Sequence, residues 1–448
     1  MNARPTTPPT WHSLNPLGHL TRMLRDPIGL FSEARDRYGD LVTMRALHHS
    51  IVAVSGPQEM HQIFVSQARK YDKSTVGYRT LRLLLGTGLV TAQGETWKRH
   101  RKVANPAFHQ ACLAGFAETM NVVAADAVAG WTAAPDQPRD LAQDMAALTL
   151  RIAGLTLFDV DLSDRSSTVS GSVTEALAGF DRLIANPLPF AHHLPTAANR
   201  RFQAALGDMD AVVHDIIAQR RAATAPRADL LGMLMDAVDD DGGGLSDLEL
   251  RDEVVTMLMA GHETTANALA WTLFLLGRHP EIAARAAAEA RRVAPSGPVT
   301  FAHLGQLPLL KGVFHEALRL YPPIWMQERR CVTGDLLGGY RIPPETLMLL
   351  PIWVLHRHPD LWDRPDTFAP ERWAPDGPGA PKGAFLPFST GARKCIGDRF
   401  AETEALIVLV HLLRDLEIEL APDCAPVPEP SVTLRPGGGV PGRLVPRP

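Results

Sequence analysis

The sequence predicts a mainly α-helical fold carrying a small β region, and three observations lead there. A stretch from Ser246 to Leu276 stays apolar over about 30 residues, which requires one long helix running through a core. Residues 111–219 are alanine-rich and read as mainly helical. Near the N-terminus, Leu41–Arg45 and Ser50–Val54 read as two short strands between helices at Pro27–Tyr38 and Pro57–Phe64, the second with proline in its first turn.

The 448 residues give ample material for a large core, and no low-complexity linker divides them. Asp239–Gly244 and Ala374–Gly383 are rich in glycine or proline but loop-sized. One domain over residues 1–448 is therefore expected, with 1–17 as a flexible N-terminal segment. That segment lacks an apolar run, which argues against a signal peptide or membrane anchor. A net charge of −4, without basic residues interleaved with aromatics, argues against nucleic-acid binding. Cys112, Cys331, Cys395 and Cys424 lack framework spacing and suit a reducing, cytoplasmic setting.

Along the chain, Tyr78–Val90 is apolar, interrupted by glycines, and reads as a core segment. Trp97 and Arg101 lie one turn apart and share a helix face. Pro187 and Pro189, set among Phe180, Leu183, Ile184, Leu188 and Phe190, break a helical run into a connection. Ser246 with Glu249 forms a capping box that starts the long helix, and His279-Pro280 ends it. Asp252, Glu253 and Glu263 within it exclude a membrane span. At its middle, Ala260-Gly261-His262-Glu263-Thr264-Thr265 puts a glycine and two β-branched residues where helices disfavour them, the glycine costing up to about 1 kcal/mol. A local rule broken inside a buried helix points to function. Leu309–Leu320 reads as a helix stopped by Tyr321-Pro322-Pro323, with Glu316 and Arg319 on one face.

Phe388-Ser389-Thr390-Gly391-Ala392-Arg393-Lys394-Cys395-Ile396-Gly397 places one cysteine between two glycines. Gly391 can take positive φ, and Gly397 lets backbone approach a ligand of the sulfur. Phe400, Ala401, Ala405, Leu406, Leu409 and Leu413 recur at helical spacing, so Cys395 sits just before a helix N-terminus. Amides and the helix dipole there favour a thiolate, a suitable soft axial ligand to iron. A zinc site would need clustered ligands, and none accompany Cys395 in sequence.

The pattern Phe-x-x-Gly-x-Arg-x-Cys-x-Gly resembles the haem-ligand signature of the cytochrome P-450 family at every fixed position. Ala260–Thr265 is similar to that family's oxygen-binding segment, and Trp97 with Arg101 to its Trp-x-x-x-Arg helix. Glu316 and Arg319 match its Glu-x-x-Arg, and residues 368–373 its Pro-Glu-Arg-Phe segment, with Trp373 in place of phenylalanine. The resemblance covers nearly the whole chain. It implies the cytochrome P-450 fold, haem b with Cys395 as metal ligand, dioxygen as co-substrate, and monooxygenation of an unactivated C–H bond.

The resemblance also implies individual roles. Phe388, Gly391 and Gly397 would surround the haem, and Gly261 would leave room for dioxygen. Arg393, Arg101, Trp97 and either Arg329 or Arg330 would meet its propionates through guanidinium forks or an indole. His100 could also reach a propionate, but a satisfied surface histidine is the better reading. Thr264 would hydrogen-bond dioxygen and Glu263 would relay protons from water. Glu316, Arg319 and Arg372 would form a buried structural network, in which stranding one charge costs about 3–5 kcal/mol. Tyr78–Val90 would be a loop over the haem, and the segment around Pro187 and Pro189 a lid. Leu81, Leu83, Leu84, Val90, Phe180, Ile184, Met257, Ala260, Ile324, Trp325, Val432 and Leu434 would wall a pocket. Their apolar character suggests a lipophilic terpenoid, fatty-acyl or polyketide substrate in specialised metabolism, with a lean to terpenoid. Electrons would come from a ferredoxin and its reductase, steered by Lys98, Arg99 and Lys102. A soluble, cytoplasmic monomer of bacterial type is expected. Two other classes stay open: a haem-thiolate peroxygenase or isomerase needing no electron donor, and a non-catalytic haem-binding protein. Glu263 and Thr264 argue against both.

Overall fold

The fold is described from a computed structural model, over residues 7–186, 193–222, 229–237 and 244–447. Its helices are α1 (Leu20–Arg25), α2 (Pro27–Tyr38), α3 (Pro57–His61), α4 (Val76–Leu85), α5 (Gly94–Ala104), α6 (Gln110–Thr132), α7 (Leu141–Leu157), α8 (Ser166–Ala185), α9 (Ala197–Ala222), α10 (Leu230–Asp236), α11 (Asp247–Arg278), α12 (Pro280–Val293), α13 (Phe301–Leu304), α14 (Pro308–Leu320), α15 (Ile352–Leu355) and α16 (Asp398–Asp415). Its strands are β1 (Leu41–Ala46), β2 (His49–Val54), β3 (Tyr71–Asp72), β4 (Arg139–Asp140), β5 (Gln327–Cys331), β6 (Asp335–Leu337), β7 (Tyr340–Ile342), β8 (Leu347–Leu350), β9 (Leu416–Leu420), β10 (Val427–Pro430), β11 (Leu434–Gly437) and β12 (Pro441–Pro446). Two compact units emerge. One comprises Met1–Thr80, Leu318–Phe368 and Pro378–Cys395; the other comprises Leu81–Ala317, Ala369–Gly377 and Ile396–Pro448.

The first unit is built on a five-stranded sheet in the order β1-β2-β8-β5-β3. The predicted strand pair is its hairpin, in register Met44↔Ile51, turning through Leu47 at φ 54°. β2 then pairs parallel to β8. Leu41, Val52, Val54, Met60, Phe64, Cys331, Met348 and Leu350 form its buried core. The expected helix from Pro57 stays α-helical only to His61 and widens into a π turn over Gln62–Ser66. The N-terminal segment departs from expectation in its described part, residues 7–17. Trp11 N donates to Thr43 O and Thr43 N to Pro9 O, both at 2.8 Å, so this stretch is fastened to β1. The reason is that β1 is an edge strand with backbone groups to satisfy.

The second unit is mostly helical. α11 begins with the predicted capping box, Ser246 and Glu249 bonding reciprocally, and its 32 residues pack along α7, where Thr149 Oγ1 donates to His262 O at 3.2 Å. α6 packs on α16 through Phe116 and Phe400, whose rings meet edge-on at 5.8 Å. Among the described helices α6 alone has the length and apolarity to cross a membrane, and Leu113, Met120 and Val123 are buried within the protein. Short sheets β4-β12-β9 and β10-β11 complete this unit. Tyr78–Val90 differs from the expected loop. Its first part belongs to α4, because Leu81, Leu84 and Leu85 fall at helical spacing and bury together, until Gly86 ends the helix at φ 58°. The loop at Asp239–Gly244 lies outside the described residues except for Gly244.

Candidate active site

The cysteine loop is shaped by backbone. Gly391 sits at φ 72°, and a Cβ there would collide with the carbonyl oxygen of Phe64, so only glycine fits. Ser389 is also left-handed at φ 60°. Leu386 N donates to His356 Nε2 at 2.9 Å at one end of the loop, and Cys395 N donates to Phe388 O at 2.9 Å at the other. Cys395 is exposed and lies three positions before the start of α16, just ahead of a helix N-terminus as predicted. Its own amide is taken by Phe388, so any amide stabilisation of the sulfur must come from other residues. Gly397 has φ −96°, and a Cβ there would only touch Phe108 at 3.6 Å, an ordinary contact.

Three cations converge in the same unit. Arg329 is 5 % exposed, lies 5.0 Å from the Phe64 ring and donates to Glu328 O at 2.7 Å. Desolvation, and then the charges of Arg329 and Arg393, push the Lys73 ammonium well below its ordinary pKa. Arg330 is engaged elsewhere, bonded to Asp72 at 2.6 and 3.1 Å and to Glu345 at 2.9 Å. The hydrogen bonds thus distinguish the two neighbouring arginines: Arg330 is held by Asp72 and Glu345, whereas Arg329, like Arg393, acts on the Lys73 charge. Lys73 carried no spacing signal and was invisible in the sequence.

On α11, every residue from Asp252 to Leu273 is buried except Ala260, Gly261 and Thr264. These three fall at i, i+1 and i+4, so one accessible window opens on a face of an otherwise enclosed helix. Thr264 Oγ1 donates to Ala260 O at 2.6 Å, which leaves the hydroxyl oxygen able to accept. A Cβ at Gly261 would meet only Leu157 Cδ1 at 3.5 Å, so packing within the protein does not itself demand glycine. The adjacent Glu263 is buried and takes Thr433 and Arg435 on one oxygen.

The helix's other acids are also paired. Asp252 accepts from Thr87 N at 2.6 Å. Glu253 lies 2.6 Å from His100 Nδ1. His100 is therefore neither a surface histidine nor free to face a propionate through that nitrogen: it is fully buried, and Glu253 holds the ring. Burial raises the Glu253 carboxyl; burial is also the largest single influence on His100 and would lower the imidazole, but the bonds and charges of Glu253 and Glu249 together raise it. Its neighbours Trp97 and Arg101 are half-buried, one turn apart on α5. Of the basic patch, Lys98 pairs with Glu95 at 2.6 Å and Arg99 with Glu249, which reduces its net charge.

Glu316, Arg319 and Arg372 are all buried as expected. Glu316 accepts from Ala369 N at 3.2 Å and lies 3.5 Å from Arg372 Nε. It also accepts from Trp373 Nε1 at 2.9 Å, a donor phenylalanine lacks. Arg319 donates to the carbonyls of His356, Pro365 and Thr367 at 2.9, 2.6 and 3.1 Å, and lies 5.1 Å from the Trp362 ring. Among the expected wall residues, Leu81, Leu84, Met257, Trp325 and Leu434 are buried, whereas Val90, Phe180, Ile184, Ile324 and Val432 are partly exposed. Leu83 points outward at 37 % exposure, because it follows Leu81 by two on a helix. The proline connection with Leu188 and Phe190 lies outside the described residues.

The family model described as Cytochrome P450 matches residues 5–439. The chain is 36 % identical to cyclooctatin synthase of Streptomyces melanosporofaciens, over 96 % of this chain and 93 % of the relative. It is 34 % identical to cyclooctat-9-en-7-ol 5-monooxygenase of the same organism, over 88 % of this chain and 86 % of the relative. Pentalenene oxygenase of Streptomyces avermitilis is 33 % identical, over 91 % and 90 %. The chain belongs to the cytochrome P450 family. It is a monooxygenase whose cofactor is haem b with an axial thiolate and whose co-substrate is dioxygen. The residues present fit that group: an exposed cysteine sulfur suits iron, and converging Lys73, Arg329 and Arg393 suit a ligand bearing carboxylates.

Proposed function

We propose that this enzyme hydroxylates an unactivated C–H bond of a lipophilic terpenoid, with Cys395 as the iron ligand and Thr264 and Glu263 serving proton delivery. The observation that carries the assignment of roles is the window at Ala260, Gly261 and Thr264, with its accepting hydroxyl and adjacent carboxylate, on a helix buried on either side. Two of the relatives are named for oxygenation of cyclooctat-9-en-7-ol and pentalenene, and the apolar wall residues of this chain suit such skeletons.

Bound haem supplies the activation of dioxygen and the oxidation of the C–H bond. Arg329, Arg393 and Lys73 would neutralise its carboxylates, and the family resemblance implies the same for Trp97 and Arg101; the pairing of Arg330 with Asp72 and of His100 with Glu253 favours the others over these two. Phe388 and Gly391 hold the loop that presents the sulfur. Overall, one oxygen atom enters product and the other leaves as water, which consumes two electrons and two protons per turnover. Glu263 would take each proton from water and Thr264 would orient its delivery, while the apolar wall excludes bulk solvent. A ferredoxin and its reductase would supply the electrons to a cytoplasmic, single-domain monomer.

A screen of terpenoids for the spin shift that follows displacement of the iron's water ligand tests the substrate class. Response only to polar or anionic compounds would end that proposal. Cys395→Ser should abolish the red-shifted band of the reduced carbon-monoxide adduct; an unchanged band would remove Cys395 as ligand. Full turnover on peroxide, or rearrangement without any donor, would favour the peroxygenase or isomerase class instead.

A further inference from the structure

Glu263 is clamped from the C-terminal hairpin. Arg435 stands on β11, opposite Glu429 of β10, and its Nε and Nη2 lie 2.8 and 2.7 Å from Glu263 Oε1. Thr433 Oγ1 donates to the same oxygen at 2.7 Å. No described residue hydrogen-bonds Oε2. The hairpin is itself fastened: Asn267 Nδ2 lies 3.3 Å from Thr433 Oγ1, Trp271 Nε1 donates to Leu434 O at 3.3 Å, and Ser431 Oγ donates to Asp181 Oδ1 at 2.9 Å. Two hydrogen bonds and the close second guanidinium nitrogen on one carboxylate oxygen fix the side chain's rotamer and leave the other oxygen for exchange. Asp181 and Glu429 also feel or face the Arg435 charge, yet the guanidinium is bonded to Glu263.

We propose that Arg435, assisted by Thr433, is a positioning residue for proton delivery: it pins Oε1 of Glu263 so that Oε2 alone takes up and hands on protons beside Thr264. The step is a pure proton relay. Water gives a proton to Oε2, the same proton leaves Oε2 through water or the Thr264 hydroxyl, and the carboxylate is restored with no electron moved. This inference rests on Glu263 being the proton carrier. A clamp that only stiffened the hairpin would have no reason to converge on one oxygen of that acid.

The test uses the haem-loaded enzyme with NADPH, a plant-type ferredoxin and its reductase, in the oxidase reaction that runs without added substrate. Rate and solvent deuterium isotope effect are measured for Arg435→Met, Arg435→Lys, Thr433→Val, Glu263→Gln and the Arg435→Met/Glu263→Gln double variant. The intensity of the carbon-monoxide band reports intact haem ligation in each. Glu263→Gln should slow the reaction by about tenfold or more and enlarge the isotope effect, as loss of a proton-transfer group does. Arg435→Met should reproduce most of that loss, Arg435→Lys should recover part of it, and Thr433→Val should fall between wild type and Arg435→Met. The double variant should be no slower than Glu263→Gln alone. An Arg435→Met enzyme with wild-type rate and isotope effect beside a slow Glu263→Gln overturns the proposal and leaves the relay standing. A full additional loss in the double variant also overturns it, since Arg435 would then act elsewhere. A Glu263→Gln enzyme indistinguishable from wild type removes the relay itself. If Arg435→Met cannot retain haem, Thr433→Val decides: an unaltered isotope effect there counts against the clamp.

Discussion

Replacing Trp373 by phenylalanine removes one N–H from a buried carboxylate and little else. Glu316 is fully buried; its Oε2 accepts Trp373 Nε1 at 2.9 Å, and its Oε1 accepts Ala369 N at 3.2 Å. The edge-on contact of Trp373 with His315, centroids 5.3 Å apart, survives in a phenyl ring. A hydrogen bond to a charged group contributes about 1.5–3 kcal/mol. The smaller ring, already half-buried, adds roughly 0.5–1 kcal/mol of lost burial. For 448 residues, an unfolding entropy of about 2.1 cal/mol/K per residue converts 2–4 kcal/mol into a Tm drop of about 2–4 °C. Thermal loss of the Soret band measures this, for Trp373→Phe, Glu316→Gln and the double variant. Because the two side chains share one bond, the double variant should fall short of the sum. A Tm unchanged by Trp373→Phe, or a full additive loss on the Glu316→Gln background, would refute the argument and make Trp373 a packing residue only.

His356 gives a pH dependence with a definite sign. Its Nε2 accepts from Leu386 N and its Nδ1 faces Arg319 O, which fixes the neutral Nδ1–H tautomer. Burial, then the charges of Arg319 and Arg357, lowers its pKa from 6.5 to about 3. The unfolded chain thus binds a proton the folded one refuses, so this contribution is complete above pH 6.5 and declines as pH falls toward about 3. Urea unfolding of wild type and His356→Gln across that window should show a shallower slope in the variant; parallel slopes would count against it. The two loop glycines should differ sharply. Gly391→Ala meets both positive φ and the Phe64 carbonyl and should lose about 2 kcal/mol or more of stability, whereas Gly397→Ala should change it by under about 1 kcal/mol. Equal effects in chemical denaturation would contradict the geometry. Thr264→Ala should lower product formed per NADPH by roughly tenfold while leaving the carbon-monoxide band intact; unchanged coupling would remove its hydroxyl from proton delivery.

The helical architecture was legible because its signals are local. A capping box at Ser246 and Glu249, a proline after His279 and an apolar run between them determine α11 nearly to the residue. The cysteine loop was legible for a similar reason, since Gly391 writes its positive φ into the sequence. Partners distant in sequence were not legible. His100 resembles any polar residue in the run Lys98–Lys102, and only the fold brings Glu253 against it. Lys73 and Arg435 likewise owe their settings to residues about 170 or more positions away. That Arg330, and not Arg329, is held by Asp72 needed the register of β5 against β3. The one available hint was Trp373, where the departure from the family pattern marks a hydrogen bond the pattern lacks.

The fastening of residues 9–11 along β1 matters beyond the site. An uncovered sheet margin invites pairing with another copy, and here the chain closes its own margin through Pro9, Trp11 and Thr43. The pairing of Pro9 and Trp11 with Thr43 should therefore hinder self-association along that margin. A protease or a fusion partner that peels those few residues away would change how the enzyme behaves at high concentration before it changed any step of catalysis.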